Sequence, residues 1–141
     1  MHITNELGRW QLVELSFSQD AVAASQSAAA LNPQAAHGVV LDNVGITMPA
    51  EGYVVGISLN LSAAATGGTL TVVPTIDTTV TTDPSLAVTT AVVGSDFCKR
   101  ATNYFAKHAV IGAKITTTAD WTAETMDLYV SVWVLLKVPS I

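Results

Sequence analysis

At 141 residues the chain has the size of one domain, enough to bury roughly 70% of the surface that its unfolded form exposes. Half of the residues are apolar and only 12% are charged, with six Lys and Arg against eleven Asp and Glu and a net charge of −5. That balance speaks against nucleic acid as a ligand. No apolar run reaches the length of a membrane-spanning helix, and one cysteine, Cys98, cannot form an internal disulfide. The first residues have neither the basic nor the apolar region of a secretory leader, so a cytoplasmic, reducing origin is expected.

Met1 to Gly8 shows no periodicity. Trp10 to Phe17 reads as a strand with apolar residues on both sides: Gln11, Val13, Leu15 and Phe17 on one, Trp10, Leu12, Glu14 and Ser16 on the other. Ser18 to His37 is rich in Ala, Ser and Gln. Few large apolar residues are present to pin a helix there, so an extended excursion or at most one helical turn, broken at Asn32-Pro33, is predicted. Short strands at Val39–Leu41 and Val44–Met48 flank an Asp42-Asn43 turn.

Residues 52–76 hold the clearest period of two. Val55, Ile57, Leu59 and Leu61 alternate with small or polar residues, as do Leu70, Val72 and Ile76 after a loop ending in Gly67-Gly68. The pair reads as an antiparallel hairpin, its second strand placed at an edge or bent by Pro74. Asp77 to Thr90 is Thr-rich strand with a turn at Asp83-Pro84, extended by Ala91 to Val93 and stopped by Gly94. Val110 to Thr116 alternates again, and Thr118 to Thr125 is a loop around Trp121. The last strand, Met126 to Val138, has an unbroken apolar face on its even positions from Leu128. Its other face carries Tyr129, Trp133 and Leu135, which makes it central or partner-facing. Pro139 ends it.

The predicted fold is all-β: an antiparallel β-sandwich of about eight strands, jelly-roll-like, with an irregular N-terminal arm. Residues 1–38 form that arm, its first strand and the Ala/Ser-rich excursion, a possible attachment segment; residues 39–141 form the sandwich. So little charge on a β surface predicts cover by other copies or by a larger assembly.

The block MPAEGYVVGISLNLSAAATGGTLTVVPTID (48–77), followed by VIGAKITTTADWTAETMDLYVSVWVLL (110–136), resembles small β-sandwich virion structural proteins of tailed bacteriophages, of the head-decoration (capsid cement) and head-fibre or tail-fibre kind. The likeness lies in the Pro-x-x-Gly-Tyr lead into an alternating strand, the small-residue loop and the Ile-Gly-x-Lys-Ile strand. An Ala-Asp-Trp loop before the final strand completes it. It covers about half of the chain. The resemblance implies a non-enzymatic homotrimer that binds the major capsid protein on the outer surface of a phage head and stabilises the shell. It would be made in the host bacterial cytoplasm, with no cofactor, nucleic acid or membrane involved. The alternative is a receptor- or carbohydrate-binding sandwich of a tail or fibre tip.

No catalytic or metal-binding constellation is legible. His2, His37, His108 and Cys98 lack ligand spacing, no Gly-x-Ser-x-Gly elbow occurs, and Asp120, Glu124 and Asp127 lack the form of a calcium loop. The aromatic residues are the candidates. Tyr129, Trp133 and Leu135 are expected at a subunit interface, Trp10, Leu12 and Phe17 at a shell contact. Trp121 is either a plug over the end of the sandwich or, with Asp120 and Glu124, an exposed ligand loop. Arg100 and Tyr104 lie in another loop.

Overall fold

The computed structural model describes residues 9–33, 45–98, 102–122 and 126–138. Among these the chain forms no helix. Its strands are β1 (Arg9–Gln19), β2 (Ala29–Ala30), β3 (Asn32–Pro33), β4 (Ile46–Thr47), β5 (Gly52–Leu61), β6 (Leu70–Ile76), β7 (Thr79–Val80), β8 (Leu86–Val88), β9 (Val93–Phe97), β10 (Tyr104–Phe105), β11 (Val110–Thr117) and β12 (Leu128–Val138). They make two antiparallel sheets. In the first, β3, β1, β12 and β5 lie side by side, with β9 and β10 both along the far edge of β5. In the second, β2 and β4 both lie along one edge of β11, whose other edge pairs with β6, and β7 and β8 both lie along the far edge of β6.

Eight of these strands define the topology. β1 pairs with β12, β2 with β11, β5 with β9, and β6 with β8. The first strand thus meets the last, the second the seventh, the third the sixth and the fourth the fifth. The β5–β12 and β6–β11 ladders join these nested pairs into two sheets. That is the jelly roll, as the strand pattern predicts.

The nesting overturns the predicted hairpin at 52–76. β5 and β6 share no ladder; they lie in opposite sheets, and residues 62–69 arch between them. Alternation alone fits both arrangements, because it reports that each strand has one apolar face and not which way the two faces look. Here they look at each other. Ile57, Leu59 and Leu61 meet Leu70 and Val72 across the sandwich, with Ile111 and Ile115 from β11 and Leu128, Val130, Val132 and Val134 from β12. Aligned sheets about 10 Å apart are filled by such interdigitating rows.

Three further expectations are corrected. Val55 does not continue the inward row: the β5–β12 register slips between Trp133 and Val134, whose partners are Gly56 and Val54. Val55 is the extra residue of a β-bulge, so Val54 and Ile57 both turn inward. Ala91 to Val93 does not extend β8, and Gly94 does not end a strand. The chain crosses to the first sheet and Gly94 sits inside β9, opposite Leu59. The Thr-rich stretch after Asp77 is itself broken. Asp77 and Thr78 take φ of 49° and 70° in the turn into β7, held by Val110 N–H donating to Asp77 Oδ1 and Lys114 Nζ to the Thr78 carbonyl.

Pro74 lies opposite Ala113 in β6. Its carbonyl accepts from Thr81 N–H, so its missing donor points to the same side, between the ends of β7 and β8. The ladder is interrupted there and loses nothing.

The first strand expected at Trp10 to Phe17 is β1, and the arm expected at Met1 to Gly8 lies outside the described residues. β1 pairs with β12 from Arg9 to Gln19, and β2 and β3 place Ala29 to Pro33 in both sheets. The strand pieces expected at 39–44 and the stop at Pro139 lie outside the described residues.

Candidate functional site

Among the described residues, the outward face of the first sheet is the one surface where bulky side chains gather on the side away from the core. Register builds it row by row. Leu12, Leu135, Tyr53 and Tyr104 stand opposite one another on β1, β12, β5 and β10. The next row is Glu14, Trp133, Gly56 and Phe97; the one after is Ser16, Ser131, Ser58 and Ser95; then come Ser18, Tyr129, Asn60 and Val93. At the other end Trp10 faces Lys137.

The rings interlock. Trp10 and Tyr53 lie 5.6 Å apart between centroids at 44°, and Tyr53 and Tyr104 lie 5.7 Å apart at 68°. β12 runs between β1 and β5, so the Trp10 and Tyr53 side chains reach across it to meet. Such tilted and edge-on contacts favour each other through the ring quadrupole. Phe97 lies over Gly56, where an added Cβ would come within 2.7 Å of the ring. Trp133 leans the other way, its Nε1–H donating to Ser58 Oγ at 3.2 Å.

Polar groups at the rim satisfy one another. The Tyr104 hydroxyl donates to Glu51 Oε2 at 2.7 Å, and Lys137 Nζ lies 3.3 Å from Glu51 Oε1. The Tyr104 hydrogen bond, and then Lys137, hold the Glu51 carboxyl below the usual carboxylate range; the same hydrogen bond raises Tyr104. Glu14 Oε1 accepts from the hydroxyls of Ser131 at 2.6 Å and Ser16 at 3.4 Å.

The predicted contact residues divide. Trp10 and Leu12 are exposed, at 47% and 52%, but Phe17 on the same strand is fully buried in the core. It has the opposite parity and cannot touch a shell. Tyr129 is exposed on this face, and Trp133 and Leu135 are half-buried on it. The two expected patches are therefore parts of one surface. Tyr53, Phe97 and Tyr104 also belong to it; Tyr104, expected in a loop, lies in β10, and nothing local marks Tyr53 or Phe97, since Phe97 joins only because β9 pairs with β5, some forty residues earlier in the chain.

Trp121 is the plug. It is 2% exposed, and the loop carrying it is stitched to the 62–69 arch. Thr69 N–H donates to Thr118 Oγ1, Thr122 N–H to the Gly67 carbonyl, and the Thr66 and Thr122 hydroxyls share a 2.6 Å hydrogen bond. Gly68, at φ 83°, lets the arch approach: a Cβ there would lie 2.5 Å from Trp121 backbone atoms. Asp120 thus has no exposed aromatic ring from Trp121 beside it. Glu124 and Arg100 lie outside the described residues, as do His2 and His37. Among the described residues no cluster of three or more His, Cys, Asp or Glu is placed to hold a metal ion.

No protein-family model and no curated protein matches the chain. Among solved structures, a chain of the cyanophage Pam1 capsid asymmetric unit is similar over 92% of this chain and 86% of its own, with 13% identity and a TM-score of 0.38. A likeness of that size assigns no role.

Proposed function

We propose that this chain is a non-enzymatic structural protein of a tailed-phage virion, a decoration protein seated on the outside of the head. The observation that carries the reading is the outward face of the first sheet: Trp10, Leu12, Tyr53, Phe97 and Tyr104 form an apolar surface on a chain with 12% charged residues. Such a surface suits permanent contact with protein better than contact with water. The resemblance of residues 48–77 and 110–136 to phage head proteins supplies the kind of assembly. It implies a homotrimer; the surface itself speaks for contact between protein surfaces and leaves the number of copies to the mass measurement below.

The mechanism is cement. A rigid jelly roll that spans the joint between neighbouring shell subunits adds buried area there, and expansion of the shell must then break those contacts as well. Repetition over many identical sites makes the sum large even where each contact is modest. The carbohydrate-binding alternative loses its aromatic platform with the burial of Trp121. The test is gold labelling of intact particles of the encoding phage with an antibody against this chain. Even label over the head is the expected result; label confined to the tail tip, or none, overturns the reading.

A further inference from the structure

We infer that the outward face of the first sheet is the contact between two copies of this chain, packed face to face about a twofold axis. The inference rests on the reading above only in taking this face to be covered by protein. Three observations favour a second copy as that cover. The first is relief. The rows from Trp10 to Phe97 are bulky, the next row, Ser16, Ser131, Ser58 and Ser95, is low except where Trp133 and Glu14 reach onto it, and the last row rises again at Tyr129 and Val93. A twofold axis lying along the rows, between the Phe97 row and the serine row, sets each of these two rows over the other in the partner copy, and the Leu12–Tyr104 row over the Ser18–Val93 row. A surface that is its own complement in this way is what an isologous contact requires.

The second is charge. The chain carries −5, so two copies repel over most of their surface. Within these rows Glu51 is paired with Lys137 and Glu14 is the one described charge left over; Asp20 and Asp127 follow beyond the Ser18–Val93 row. Copies therefore approach here at the least electrostatic cost. The third is area. Four strands about 4.8 Å apart and the four rows that this axis overlaps, about 6.8 Å apart, span about 500 Å² in plan. With the relief of the rings added, that approaches the ~800 Å² per partner of a standard stable interface.

The test is the mass of the purified full-length chain by sedimentation velocity up to about 100 µM, for the parent and three single variants. Leu12→Lys lies in the bulky half, Ser95→Lys in the serine half, and Val80→Lys on the second sheet. All three sites are exposed, so at concentrations well below the dimer's dissociation constant the melting transition of each variant should stay with the parent's. The expected result is a dimer whose dissociation constant rises by about tenfold or more for both Leu12→Lys and Ser95→Lys and is unchanged for Val80→Lys. A monomeric parent overturns the inference, as does a trimeric mass, equal weakening by Val80→Lys, or weakening by only one of the two face variants. Its failure is separable from that of the virion reading: a monomer that still labels the phage head returns this face to the shell protein, whereas a dimer absent from particles keeps the pair and loses the virion.

Discussion

The two sheets of the jelly roll share one core, yet their outward faces differ in kind. On the second sheet the outward positions are Thr71 and Val73 of β6, paired with Thr116 and Lys114 of β11 and flanked by Thr47, Val110, Ala30, Ala87 and Val80, while Thr75 and Gly112 share that phase but are buried. Threonine satisfies the strand preference for a branched Cβ and still offers water a hydroxyl. On the first sheet the equivalent positions hold Trp10, Leu12, Tyr53, Phe97, Tyr104 and Tyr129. Folding demands only the inward rows, and those are alike in both sheets. The outward rows were free to be threonine in both, so the aromatic face answers a requirement other than the fold.

The largest effect should separate the inside of a strand from its outside. Phe17 and Leu12 lie on β1 with opposite parity, one in the core and one on the aromatic face. Phe17→Ala should cost about 3–5 kcal/mol in urea unfolding, whereas Leu12→Ala should stay within about 0.5 kcal/mol. Equal losses would mean that the outward face is structural. A middle-sized effect should be confined to the aromatic face. Gly56→Ala drives a Cβ into the Phe97 ring and should cost about 1–3 kcal/mol as overpacking. A crystal structure of the variant should show the ring displaced from β5 while the second sheet is unchanged.

The smallest effect should be a pH dependence belonging to the aromatic rim. The folded Glu51 carboxyl is lowered, chiefly by the Tyr104 hydroxyl, so its contribution is present above the unfolded value and lost as pH falls through the lowered folded one. Tyr104 is raised by the same hydrogen bond; its contribution is present below its unfolded value and lost as pH rises through the folded one. Both groups are exposed and screened, so the slopes should be shallow. Glu51→Gln should flatten both limbs of the urea midpoint against pH. Unchanged limbs would show that this rim contributes nothing to stability.

The jelly roll and most of its core were legible in the residues, because a period of two over β5, β6, β11 and β12 states which side chains seek burial. Trp10, Leu12, Tyr129, Trp133 and Leu135 were legible as apolar residues on the wet phase of strands. Their union into one surface was not, because it depends on the β1–β12 and β12–β5 registers between segments more than forty residues apart. Tyr53 and Phe97 were invisible for the same reason. Trp121 was left open between plug and platform until the 62–69 arch closed over it.

Composition and alternation, taken by themselves, determined an all-β chain with one apolar face per strand, since a strand's parity is a local property. Which strand lies beside which, and hence that the residues of 52–76 arch across the core and that distant aromatics converge on one sheet, was decided only by the tertiary structure. Pairing is a contest among long-range ladders and facing apolar rows, and local periodicity carries no information about the partner.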